Sequence, residues 1–230
     1  MKATSNEIFE KAEDYDKLLQ EGLKLSGETK EYFIHGRMKE LKKRLPESFT
    51  PQRILDFGCG VGLASSILLQ YFNGIEVVGS DKAEGALEKA GQTYATSNVS
   101  FVSLDRLKEQ ASFDPCYCSG VFHHIPPTQR PEILLNIFSF LKKGGYFAFF
   151  ENNPINPGTR LIMKRVAFDK DAITLFPNES KSLITSAGFQ LVGIYFLFYF
   201  PKVLAFFRPI EKALKYIPLG AQYFILARKP

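Results

Sequence analysis

Cysteine and histidine are scarce in this chain, and long apolar runs are missing. The cysteines are Cys59, Cys116 and Cys118. An odd count without a framework spacing excludes a disulfide scaffold and argues for reduced thiols in a cytoplasmic protein. Cys116 and Cys118 share one face of an apolar run, but no second pair of ligands accompanies them, so no metal is expected. No stretch of about 18 apolar residues occurs, which excludes a spanning helix. Met1 to Asp16 has no apolar core of the kind a signal peptide needs. No Gly-Lys-Ser/Thr follows a glycine loop, so a Walker-type phosphate site is excluded. No recognised nucleic-acid motif is present, and aromatic and basic residues alternate poorly for base stacking, so no nucleic-acid partner is expected.

What remains is enough for one globular unit. The 230 residues are 45% hydrophobic and carry a net charge of +5. That excess sits in residues 189–230, where Lys202, Arg208, Lys212, Lys215, Arg228 and Lys229 face Glu211 alone. The chain is organised around Arg53 to Gly62, an apolar strand running into Gly58, Gly60 and Gly62 and then a helical pattern from Leu63 to Phe72. Alternate glycines bring bare backbone up to a ligand, and the helix aims free N–H groups back at the loop. A dinucleotide fingerprint would need a third glycine where Leu63 stands. Asp56, just before the loop, repels a pyrophosphate and suits a cationic ligand.

The segment Asp56-Phe57-Gly58-Cys59-Gly60-Val61-Gly62 resembles the first motif, Asp-x-Gly-x-Gly-x-Gly, of the class I S-adenosylmethionine-dependent methyltransferases. The resemblance implies S-adenosyl-L-methionine as cofactor, with S-adenosyl-L-homocysteine as product, and places Asp56, Gly58, Cys59 and Gly60 around it. Strand and helix alternate from here on. The order predicts an α/β fold, a doubly wound, mostly parallel sheet of seven strands with a reversed last strand. Residues 1–50 form an N-terminal helical cap of two helices, 5–21 and 28–45, with Ser26 or Gly27 capping the second. Residues 51–230 form the cofactor-binding domain, with insertions at 152–176 and 201–219.

The second strand, Ile75 to Ser80, ends at Asp81. Its carboxylate can accept both ribose hydroxyls or cap the helix that starts at Lys82; the resemblance favours the ribose and brings Lys82 alongside. The third strand, Val99 to Ser103, ends at Leu104 and Asp105, where the family contacts the adenine. The fourth, Asp114 to Gly120, offers Ser119 and Gly120 to the cofactor and leads into His123, His124 and Pro126-Pro127, which open a helix to about Leu141. Histidine titrates near neutrality, so His124 is a candidate base; both histidines can equally shape the pocket. Lys142 to Gly145 reads as that helix's stop. The fifth strand, Tyr146 to Glu151, runs into Asn152, Asn153 and Arg160 in a loop rich in amides and prolines. Glu151 and this loop are acceptor-side candidates, as are Tyr32 and Arg37 of the cap and His123; the bland alternative is a structural Asx/Pro loop.

After an aromatic strand come Val203, Phe206, Phe207, Ile210, Leu214 and Ile217 on one face of a helix that Pro209 splits. The aromatic run and its basic opposite face either lid the acceptor pocket as core or contact an anionic membrane across 195–217. The sequence therefore points to methylation of a small-molecule acceptor, O-methylation of a glycan-related or lipid-linked one. Two other classes stay open: a non-catalytic S-adenosylmethionine-binding module, and a membrane-peripheral protein whose core is a scaffold.

Overall fold

The computed structural model describes residues 26–108, 111–165 and 172–230. The first cap helix, 5–21, lies outside them. Seven strands form one sheet in the order β3-β2-β1-β4-β5-β7-β6. The helix and strand order is α1 (Lys30–Arg44), β1 (Arg53–Phe57), α2 (Leu63–Tyr71), β2 (Glu76–Asp81), α3 (Glu84–Tyr94), β3 (Val99–Ser103), β4 (Phe113–Ser119), α4 (Arg130–Phe140), β5 (Leu141–Asn152), α5 (Pro157–Arg165), α6 (Pro177–Ser186), β6 (Gln190–Leu197), α7 (Glu211–Leu214) and β7 (Gln222–Arg228). Strands β1 to β5 pair in parallel, and β7 runs antiparallel to both β5 and β6. This is the doubly wound sheet with a reversed last strand that the alternation predicts.

The sheet is buried on both faces because its central strands are apolar at every position, and alternate residues serve opposite cores. Phe147 and Phe149 of β5 point to one side with Cys116, Cys118 and Ile225, under Leu134 and Ile137 of α4 and Ile184 of α6. Ala148 and Phe150 point to the other with Tyr117 and Phe224, under Met38 and Leu41 of α1 and Ile67 and Leu68 of α2. Phe150 and Phe224 stack with centroids 4.1 Å apart. Cys116 and Cys118 are buried core thiols.

Three local expectations change. Thr29, not Ser26 or Gly27, caps α1: its Oγ1 accepts the Tyr32 N–H, while the Ser26 hydroxyl accepts from Glu28. The helix after Pro126-Pro127 starts only at Arg130 and ends at Phe140. Lys142 to Gly145 are therefore part of β5, which bulges against β4 between the pairs Phe113–Leu141 and Pro115–Tyr146. A Cβ on Gly145 would lie 2.6 Å from the Asp114 carbonyl, so this close approach, not a helix stop, requires the glycine.

The insertion between β6 and β7 also differs. Residues Lys202–Ile210 wind as a 3-10 helix, kinked at Leu204 (φ −108, ψ 20), and Pro209 lies in its last turn before α7. Three residues per turn carry a 3.6-period stripe off any single face. The apolar residues read as packed core stand mostly in solvent, with Val203 88% and Phe206 81% exposed.

Truncating Phe224, which is fully buried, leaves a cavity with no neighbour able to fill it. Phe224→Ala is expected to cost about 3–5 kcal/mol in urea unfolding.

Candidate active site

The carboxyl ends of the parallel strands meet along one edge. Phe57 pairs with Ser80 and with Cys118, Asp81 with Ser103, and Ser119 with Phe150. The turn after β1 has φ of +74 at Gly58, +53 at Gly60 and +82 at Gly62. The three glycines serve different ends. A Cβ on Gly58 would strike Val121, and one on Gly62 would strike Phe101 and Ala90, so these two permit packing. A Cβ on Gly60 would meet nothing within 4 Å. Gly60 turns bare backbone to open space, as a ligand cradle requires.

Acidic groups frame this turn. Asp81 accepts the Gly60 N–H at 2.8 Å through one oxygen and the Ala83 N–H at 3.0 Å through the other. Each oxygen keeps a lone pair for a further donor. Asp56 is buried and accepts the Ser65 hydroxyl at 2.6 Å. Burial pushes its carboxyl up to about 7; the Ser65 hydroxyl opposes this, the Asp81 charge adds to it and Arg37 opposes it. Beside the turn, a cavity of ≈ 670 Å³ is lined by Phe57, Lys82, Leu104, Asp105, Gln129 and Ile133 among others. The expected Lys82, Leu104 and Asp105 thus come together. Phe57, Gln129 and Ile133 also line it and were not candidates: an apolar strand end and uncharged residues at a helix start carry no ligand signal in the sequence.

The acceptor side departs further from expectation. Glu151 is buried and fully engaged: Oε1 accepts the Phe122 N–H at 2.8 Å, and Oε2 contacts His123 Nδ1 at 2.7 Å and the Asn152 N–H at 3.2 Å. Glu151, through both oxygens, and His123, through Nδ1, clamp the loop after β4 onto the end of β5. Asn153 is likewise buried, with Nδ2 on the carbonyls of Pro218 and Gly220 and Oδ1 on the Ile155 N–H. It anchors the insertion. A buried amide with every partner supplied by backbone has none left for a ligand. His124 lies with its ring 4.1 Å from that of His123. Burial, and then the neighbouring imidazole, lower it to about 3. It stays neutral at physiological pH but is too weak a proton acceptor for efficient base catalysis, which the sequence could not reveal.

Other candidates separate. Arg37 donates from Nε to the Tyr117 hydroxyl at 2.9 Å and from Nη1 to Gln222 Oε1 at 3.1 Å, and Gln222 Nε2 reaches Asn152 Oδ1 at 3.3 Å. Arg37 and Asn152 thus belong to one polar row with Tyr117 and Gln222, two residues without a sequence signal. Tyr32 lies elsewhere, under the Arg208 guanidinium and against Phe198. Arg160 stands exposed on α5, outside the row.

A wound sheet whose bare-backbone turn and acidic strand end share an edge defines a cofactor-binding transferase of the Rossmann-like class. The family described as "Methyltransferase domain" matches residues 54–145. An uncharacterised methyltransferase of Synechocystis is 30% identical over 147 residues, 61% of this chain and 68% of that protein. A malonyl-[acyl-carrier protein] O-methyltransferase of Bacillus cereus is 28% identical over 117 residues, 50% of this chain and 42% of that one. Beyond the Synechocystis protein, the chain spans about half the length of the curated relatives it matches. Among solved structures, a TehB-like S-adenosylmethionine-dependent methyltransferase of Corynebacterium glutamicum superposes with a TM-score of 0.64 at 17% identity, over 95% of this chain and 98% of that one. The chain belongs to the class I S-adenosylmethionine-dependent methyltransferases, and S-adenosylmethionine is its cofactor. The residues present fit that group: Gly60 leaves room, Asp81 has lone pairs to spare, and the adjoining cavity combines apolar walls with Asp105.

The raised carboxyl of Asp56 has a stability consequence. A folded value above the ordinary 3.8 makes ionisation cost stability as pH rises from 3.8 through about 7. In thermal melts, Asp56→Asn is expected to gain on the parent protein across that window and to hold a constant difference above it.

Proposed function

We propose that the enzyme methylates an oxygen that reaches the site already ionised, on a small glycan-related or lipid-linked acceptor. The observation that carries this reading is a cationic row on an edge where His124 and Glu151, two of the residues weighed as bases, are unsuited to that role. His124 is too weak and Glu151 is buried and committed. Arg37, backed by Tyr117, Gln222 and Asn152, brings a guanidinium to the same edge. A guanidinium favours the anionic form of an oxygen acid and orients it through paired donors. The O-methyltransferase name of the Bacillus cereus relative supports methyl transfer to oxygen.

S-adenosylmethionine supplies an electrophilic methyl group on a sulfonium. The chain's own work is then positioning. In this reading Asp81 takes the ribose hydroxyls, Leu104 and Asp105 face the adenine beside Lys82, and backbone at Gly58, Cys59, Gly60, Ser119 and Gly120 borders the rest. Asp56 contributes negative potential beneath the loop. Arg37 and Asn152 hold the acceptor, and the 152–176 and 201–219 insertions shape its entrance. Alignment and exclusion of water can supply roughly 7–11 kcal/mol in the best cases, enough for an ionised oxygen to need no base.

Two measurements test this. Calorimetric titration with S-adenosylhomocysteine should show Asp81→Ala binding about 10–100-fold more weakly, the worth of hydrogen bonds to a charged group; unchanged affinity would remove Asp81 from the site. An acceptor screen should find turnover with carboxylates or phenols of glycan or lipid type. With such an acceptor, Arg37→Met should lower kcat/KM roughly 10–100-fold, while His124→Gln should fall well short of the 100-fold or greater loss that removing a general base causes. Methylation confined to protein side chains, or a general-base loss in His124→Gln, would overturn the reading.

A further inference from the structure

The segment between β6 and β7 hangs from the edge that carries the site. Leu197, the last residue of β6, pairs with Gln222, the first of β7, and Gln222 pairs with Asn152 at the end of β5. The segment is firmly held on its inner side. Asn153 ties down Pro218 and Gly220, the Glu211 carboxylate accepts the N–H groups of Tyr199 and Phe200, and Lys202 N–H bonds to the Ser26 carbonyl. The Asn156 amide links the start of α5 to Leu219, so α5 flanks the same surface.

Its outer side has a different composition. Val203, Phe206, Ile210 and Tyr216 stand 88, 81, 51 and 64% exposed, and Leu161 of α5 is 49% exposed. Exposed apolar side chains in this number within one short segment mark a contact surface. Charge here is of one sign. Glu211 is turned inward, and Arg208 is held by Glu28 at 2.6 Å. Lys202, Lys212 and Lys215 have no acidic partner among the described residues, and Lys164 and Arg165 end α5 exposed. Exposed amides are nearly absent from 202–219, and Tyr216 carries its sole hydroxyl. A protein epitope is read by fixed donors and acceptors; this surface offers apolar tips and long ammonium stems instead. That chemistry matches acyl chains beneath a layer of phosphates.

We infer that the 202–219 surface docks on an anionic phospholipid bilayer, Val203 and Phe206 entering the headgroup layer and Lys202, Lys212 and Lys215 pairing with lipid phosphates. Docking holds the site edge against the membrane. Delivery of a lipid-linked acceptor to that edge rests on the proposed function; docking itself does not.

The test is co-sedimentation of the full chain with vesicles of mixed phosphatidylcholine and phosphatidylglycerol, and with vesicles of phosphatidylcholine alone. The protein should pellet with the mixed vesicles, release as salt is raised, and bind the neutral ones roughly tenfold more weakly or less. The double variant Val203→Glu, Phe206→Glu alters two solvent-facing side chains, so it should keep the parent's affinity for S-adenosylhomocysteine while losing about tenfold or more in vesicle binding. A parent protein that stays in the supernatant with mixed vesicles, or a double variant that pellets as well as the parent, would overturn the inference. So would a parent that ignores vesicles and sediments as a dimer that the double variant dissociates, which would assign the surface to a second copy of the chain. Vesicle binding without S-adenosylhomocysteine binding would instead count against the assigned cofactor site and leave the docking intact.

Discussion

The buried carboxylate of Glu151 is the constraint on which the acceptor half of the molecule depends. A carboxyl group away from water is tolerable only if its polar atoms are met by partners. Here a backbone N–H from Phe122, an imidazole from His123 and the N–H of Asn152 meet them. The loop after β4 is thereby fixed to the end of β5, and its own carbonyls become fixed points in turn. His123 O receives the Ile173 N–H, and Ile125 O receives Nε of Arg130, whose buried guanidinium also holds Ile173 O and Glu179. One side chain at a strand end thus links the fourth and fifth strands to the start of α6.

The geometry of the glycine turn was legible because it is local. Glycines at alternate positions require positive φ and open space within a few residues, and Asp81 follows at the end of the next strand whatever the rest of the chain does. The wound sheet was legible for the same reason: continuous apolar strands separated by helical patterns leave few ways to cover both faces. The acceptor half is assembled over long separations. Arg37 and Gln222 meet across 185 positions, and Asn153 and Gly220 across 67. No spacing rule distinguishes an asparagine that binds a ligand from one that pins a carbonyl, so the bracing contacts of Glu151, His123 and Asn153 had no signal in the sequence. The insertion misled for a different reason, since a helical period was assumed where the backbone winds as a 3-10 helix.

The cap and the insertion close on each other through Arg208. Its guanidinium bonds Glu28 at 2.6 Å and lies 4.6 Å above the Tyr32 ring, while Phe198 packs against Tyr32 and Phe33 in a left-handed conformation (φ +62). Gly36 allows this: a Cβ there would lie 2.5 Å from the Phe198 ring. Tyr32, expected to reach the acceptor, is thus occupied in joining two segments that border the site. The basic excess of the C-terminal segment divides accordingly: Arg208 works inward and the lysines stand outward.

The charges around the glycine turn discriminate among ligands by sign. Asp56 and Asp81 lie close enough that the charge of the second raises the carboxyl of the first. A pyrophosphate placed there would add like charge beside the buried Asp56 and its neighbour Asp81, and the third glycine of a dinucleotide site is not present. A ligand with hydroxyl donors and a sulfonium reverses the sign of both interactions. Arg37 stands on the other side of the turn, near enough to lower Asp56 and bonded to Tyr117. The edge therefore runs from acidic at Asp81 and the glycine turn to cationic at Arg37. Such an edge would accommodate a sulfonium at one end and an oxyanion at the other, and it opposes a cationic amine approaching Arg37.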